Sequence, residues 1–257
     1  MIGAYRSLVR VIAEKRLHIL RRYWIDTVGG LAVTYILFVM VFLGGTAAAP
    51  DTMGETLPAV IVGFFIWSMA FGAFQAPAQT LIDESQWGTL EQLYMSPLSL
   101  GAVLAAESIF SILVSLSLGF TLLVLMMVTT GQYLSVDLLT VVPLSLLTIL
   151  TVVGLGLAFG GLALVYKRIE GIFNILQVLF LGILGLPSDP YLVNLLPLKL
   201  GFDLLSRSMA EGLSLWQLPA TDLGVLVALA AGYLAVGSVA LRFALRVTRS
   251  RGIMGDY

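Results

Sequence analysis

Few side chains in this sequence are equipped for covalent chemistry. It contains one histidine, His18, and no cysteine, so thiol nucleophiles, Cys metal sites and disulfides are absent. His18 has no partner at metal-ligand spacing and reads as a polar-face residue of the first helix. The three lysines, Lys15, Lys167 and Lys199, do not follow a glycine in the phosphate-loop pattern, and the serines lack a histidine base. No catalytic, cofactor-binding or metal residue is therefore expected, and the chain does not read as an enzyme.

The remaining polar side chains of interest sit inside long apolar runs, where an ionisable group is costly. Glu107, ten residues after Pro97, is the main one. It either faces a vestibule and helps to admit a solute, or lies near an interface and reaches water. Gln75 and Gln79 stand one turn apart on either side of Pro77, and Asn174 and Gln177 share another helix face. Phe64, Trp67, Phe71 and Phe74 also recur at helical spacing. Together these residues outline a candidate route for a lipophilic solute. Interhelical hydrogen bonding and lipid packing explain them equally well.

One polar stretch stands apart. "ESQWGTLEQLYMSP", Glu84 to Pro97, has no Lys or Arg and separates two apolar runs. Thr89-x-x-Gln92 reads as a capping box, in which the hydroxyl and the amide satisfy free backbone N–H groups. Glu91 lies in the first turn, where the helix dipole favours a carboxylate. Leu90, Leu93 and Tyr94 share one face, and Pro97 ends the helix by restricting Ser96. The expectation is a two-turn helix with a small apolar face, resting on a partner, on the membrane or on the chain itself.

The elements that must position these residues follow from composition. The 257 residues are 59% hydrophobic and 11% charged, against about 25% charged in an ordinary soluble domain. Such a chain needs the bilayer as solvent, and its net charge of −1 argues against nucleic acid as a partner. Six spans are expected, at Val28–Leu43, Leu57–Thr80, Ala102–Thr130, Leu138–Val165, Gly171–Leu186 and Leu223–Phe243. Residues 1–27 carry six basic side chains and read as a basic amphipathic helix in the headgroup plane, rather than as a signal peptide. Residues 28–243 form the six-span bundle, 244–257 a tail, and 1–257 one membrane domain. A segment broken by Pro190, Pro197 and Pro219 precedes the last span. With both termini inside, twelve of the fourteen basic residues are cytoplasmic, and only Lys199 and Arg207 lie outside. The expected location is the plasma membrane, multi-pass, of a prokaryotic cell. Glu84–Pro97 then faces the cytoplasm.

These residues resemble a family. "DESQWGTLEQLYMSPLSLGAVLAAES", with its Gly-Thr-Leu-Glu core and following Ser-Pro, looks like the cytoplasmic loop of type-2 ABC transporter permeases. "NLLPLKLGFDLLSRSM" is similar to the family's outer segment, with Asp203 and Arg207 in place and the Asn-Pro pair split into Asn194 and Pro197. The family often has Lys near the position of Glu107 and a basic residue beside Glu84; here Asp83, Ser85 and Gln86 surround Glu84. The resemblance implies an all-α exporter subunit that dimerises and is served by two copies of a separate ATPase, which binds ATP and Mg. It implies that Glu84, Thr89, Leu90, Glu91, Leu93 and Tyr94 contact that ATPase through a coupling helix. It also implies that the second and fifth spans line the route at the dimer interface, for drugs, lipids or polysaccharides. The reading from another class is an ion-coupled secondary transporter or channel-like protein acting without an ATPase, although the scarcity of buried carboxylates weighs against it.

Overall fold

The computed structural model describes residues 2–86, 100–166, 170–189 and 191–250. Among these the chain forms eight α-helices and no strand. They are α1 (Ile2–Arg22), α2 (Trp24–Ala48), α3 (Pro50–Gln86), α4 (Leu100–Thr130), α5 (Leu138–Tyr166), α6 (Glu170–Leu184), α7 (Lys199–Glu211) and α8 (Ala220–Ser250). Short 3-10 turns at Tyr191–Leu195 and Leu215–Gln217 flank α7.

Five helices, α2, α3, α4, α5 and α8, are long and apolar enough to cross a bilayer. The expected fifth span is a shorter apolar helix, Gly171–Leu184. Its 15-residue parent helix α6 covers about 22 Å at about 1.5 Å per residue, short of the roughly 30 Å hydrocarbon core. The long helices overrun the expected spans at most ends, because hydropathy marks the buried stretch and not the backbone hydrogen bonding that continues past it.

Helix α3 forms the centre of the bundle. Ile61, Phe65, Ile66, Met69, Phe74 and Leu81 along it are fully or almost fully buried. It packs against α5 on one side and α4 on the other, and α8 lies along the far side of α5. Two prolines, Pro58 and Pro77, sit inside α3 without ending it. Membrane helices tolerate this because neighbours re-satisfy the freed backbone. Gly156 and Gly160 of "GLAFG" meet α3 at Phe74 and Ala78; a Cβ on Gly156 would collide with the Phe74 carbonyl. The small residues let the two backbones approach closely.

Helix α7, expected as an amphipathic piece at the outer surface, is instead tucked into the bundle. Its Leu200, Leu204, Leu205 and Met209 are buried against α3 and α5. Lys199 is also buried, at 2% exposure. Its ammonium donates to Asp203 Oδ1 at 2.8 Å, and Asp203 Oδ2 also accepts the Ser188 hydroxyl at 2.8 Å. A buried base needs such a partner. Leu198, just before α7, holds φ +72°, a conformation a leucine adopts only where packing dictates it. Helix α2 and one face of α6 are poorly covered. Only Phe38 of α2 is buried, whereas Val33, Ile36 and Met40 on α2, and Ile175 and Val178 on α6, are exposed.

Candidate functional site

The sequence makes α1 amphipathic, with Leu8, Ile12 and Leu20 turned inward and Arg10 and Glu14 paired on the outer face at 2.8 Å. Within the inward stripe stand two bases, Lys15 and Arg16. Both reach acids on the bundle, although the Lys15 side chain remains 40% exposed. The Arg16 guanidinium donates through Nε to Glu107 Oε2 and through Nη2, at 3.5 Å, to the Thr80 hydroxyl. The Lys15 ammonium lies 3.4 Å from Glu107 Oε1 and 3.5 Å from Glu84 Oε1.

Position gives this cluster its meaning. Glu84 is in the last turn of α3 and Glu107 in the second turn of α4, so the two carboxylates flank residues 87–99. One lysine of α1 reaches both. The Glu107 side chain is 3% exposed and that of Arg16 27%, so this pair is shielded enough for its attraction to exceed that of a surface pair. Glu107 therefore sits between bases, buried and paired; neither of the two expected settings, a vestibule wall or open water, describes it.

Beside the cluster lies a cavity of about 600 Å³ between α1, α2, α3 and α4, with Gln177 of α6 at its rim. Helix α3 contributes Trp67, Phe71, Gln75 and Gln79, each four residues after the last, which keeps them on one stripe. Across from them stand Thr34 of α2 and Ser111 and Ser115 of α4, and Arg16 and Asp26 close one end. The Trp67 indole N–H donates to the Gln177 carbonyl at 2.9 Å, tying α3 to α6. The lining is largely apolar, with amide and hydroxyl groups that can orient a solute by hydrogen bonds.

Of the expected route residues, Trp67, Phe71, Gln75 and Gln177 are brought together here. Phe64 lies on the same stripe, but Phe38 of α2 covers it edge-on at 5.5 Å. Phe74 faces the other way, in a cluster with Phe159, Phe173 and Phe180. Asn174 is exposed on α6 and does not line the cavity. Glu107 belongs to the charge cluster. The residues that the sequence reading missed are Lys15, Arg16, Asp26, Thr34, Ser111 and Ser115. Of these, only the bases inside an apolar stripe carried a readable signal. Thr89, Leu90, Glu91, Leu93 and Tyr94 lie outside the described residues; Glu84 is the one expected coupling residue within them.

No group of three or more metal-binding side chains occurs among the described residues. A sequence model of the family described as "ABC-2 type transporter" matches residues 15–186. No curated protein matches the sequence.

Proposed function

The chain belongs to the ABC-2 type transporter family, whose model spans two thirds of it, and from that premise we propose that it is the membrane subunit of an ATP-driven exporter. The working unit is a dimer of this chain with two copies of a separate ATPase, and both termini are cytoplasmic. Six crossings are completed by α6, whose shortfall in length is made up by the chain that follows it, with α7 held at bilayer depth by its paired charge. The exposed apolar faces of α2 and α6 meet the second copy, so that the cavity along Trp67, Phe71 and Gln75 opens toward the dimer axis. The solute is lipophilic, in keeping with that lining.

The observation that carries this reading is the placement of Lys15 between Glu84 and Glu107. Movement imposed on residues 87–99 by an ATPase must pass into α3 and α4. The cluster clamps the near ends of both helices to α1, so the three move together. Gln79 and Gln75 lie about one and a half and two and a half turns above Glu84 on α3, which brings the same displacement to the cavity. An ion-coupled carrier finds less support. The buried carboxylates among the described residues, Glu84 and Glu107, have Lys15 beside them, with Arg16 also on Glu107.

The test is co-purification of an ATP-hydrolysing subunit with the tagged chain, followed by ATPase assay in lipid. In this reading Leu93 and Tyr94 are the anchors, whereas Glu84, buried and paired with Lys15, belongs to the clamp. Leu93→Ala or Tyr94→Ala should release the ATPase, since a buried anchor commonly contributes more than about 1–2 kcal/mol, whereas Glu84→Gln should leave it bound and weaken coupling. Full assembly and normal coupling after Leu93→Asp would refute the reading, because a cleft cannot take an unpaired carboxylate.

A further inference from the structure

A second concavity, of about 880 Å³, is lined by a different set of residues from the cavity described above. Helices α4 and α8 form its walls and α5 its floor. The groove exists because α4 packs on α3 while α8 packs on α5, so α4 and α8 make little contact with each other. Its walls are one face of each helix: Leu234, Ser238, Leu241 and Leu245 on α8, opposed by Leu104 and Ile112 on α4. At one end stand Arg242 and Arg246, one turn apart. Both are exposed, and neither makes an ion pair or hydrogen bond among the described residues. Among the described residues, no acidic side chain lines the groove.

From this juxtaposition we infer that the groove holds one acyl chain of an anionic phospholipid, with the headgroup phosphate between Arg242 and Arg246. The dimensions agree with a single leaflet. Leu234 to Arg246 covers about 18 Å of helix, against about 15 Å for half the hydrocarbon core. An exposed guanidinium at the end of an apolar groove fits phosphate oxygens, which accept its N–H groups in a bidentate fork. The two arginines lie near the C-terminal end of α8, so in the orientation proposed above the lipid belongs to the cytoplasmic leaflet. That leaflet carries the anionic lipid that basic side chains attract. The choice of leaflet rests on the proposed topology; the site itself does not.

Native mass spectrometry of the purified chain, without any ATPase, tests the site independently of the transport reading. The chain is supplied with equimolar phosphatidylglycerol and phosphatidylcholine of equal chain length. Phosphatidylglycerol should be retained in preference. Arg242→Ala with Arg246→Ala should weaken that retention about thirtyfold, from about fivefold for each base at an anionic surface. Arg242→Lys with Arg246→Lys should preserve most of it. A Cβ at Gly101, which lines the groove, would meet nothing within 4 Å; Gly101→Phe should therefore fill the groove without disturbing the bundle, and reduce retention with both arginines intact. Equal retention of the two lipids, or no effect of the double alanine variant, would overturn the inference. Displacement by inorganic phosphate alone would overturn it too, since it would mean an anion site with no use for a chain. So would loss of retention in Arg21→Ala with Arg22→Ala, because that would move the site to α1.

Discussion

Removing the Arg16 side chain should do more damage than neutralising its partner Glu107 or removing Lys15, and the reason lies in what is left behind. In Arg16→Ala, Glu107 keeps its charge at 3% exposure with only the Lys15 ammonium, 3.4 Å away, to balance it. Breaking a buried pair from one side costs about 3–5 kcal/mol. Lys15 offsets part of this, so the lower end applies, about 3 kcal/mol. For a chain of this length that amounts to a fall in Tm of about 6–12 °C. Glu107→Gln leaves the opposite remainder. The Arg16 side chain is 27% exposed and can turn toward water, and Gln still fills the space and accepts a hydrogen bond, so the loss should be about 1–2 kcal/mol. Lys15→Ala removes a side chain 40% exposed, whose pairs are worth less than about 1 kcal/mol. Thermal unfolding of the four proteins, read by size exclusion in one detergent, gives the order. The double variant Arg16→Ala with Glu107→Gln should be more stable than Arg16→Ala alone, because it no longer strands a carboxylate. If the two losses simply add, or if Lys15→Ala matches Arg16→Ala, the pair is not coupled and the clamp fails as an explanation.

Further outcomes follow from the same packing. Phe71→Ala and Gln75→Ala should alter solute-stimulated ATPase activity while leaving stability nearly unchanged, since both line the cavity; Phe74→Ala, from the aromatic cluster, should instead cost about 3–5 kcal/mol of stability, seen as a lower Tm. Gly156→Leu should prevent α3 and α5 from closing and abolish recovery of folded protein by size exclusion, whereas Gly182→Ala, where a Cβ meets nothing within 4 Å, should be silent. With no native cysteine, Trp216→Cys, at a position 85% exposed, should take an impermeant thiol reagent from outside intact cells. Arg10→Cys should take it only after permeabilisation, and the reverse pattern would invert the proposed topology.

The apolar architecture was legible because the bilayer leaves few alternatives. A run of about 20 apolar residues can satisfy its backbone only as a helix, and five of the six expected spans are helices of sufficient length. The remaining one, the expected fifth span, falls short because periodicity cannot tell a crossing helix from a shorter one followed by a packed segment. Helix α7 shows the same limit, since a stripe of Leu200, Leu204 and Met209 fits a surface helix and a buried one alike. Half of the route stripe on α3 was readable for a related reason. Spacing places Phe64 and Phe71 on one face, but not that Phe38 of α2 crosses over the former and leaves the latter open. The charge cluster was the hardest to see, because its partners stand 91 and 92 positions apart. A weak local signal did exist. Ile12, Lys15, Arg16 and Ile19 follow helical spacing on the face that holds the buried Ile12, whereas Arg10 and Glu14 already neutralise each other outside. Two bases in the apolar stripe of a helix must reach an acid within the protein or remain in water. Glu107 is the one carboxylate in the apolar run that opens α4, and it needs a base for the same reason. The bases and Glu107 each need the other, and it is this mutual requirement, with Glu84 as the fourth member, that fixes the roll of α1 on the bundle.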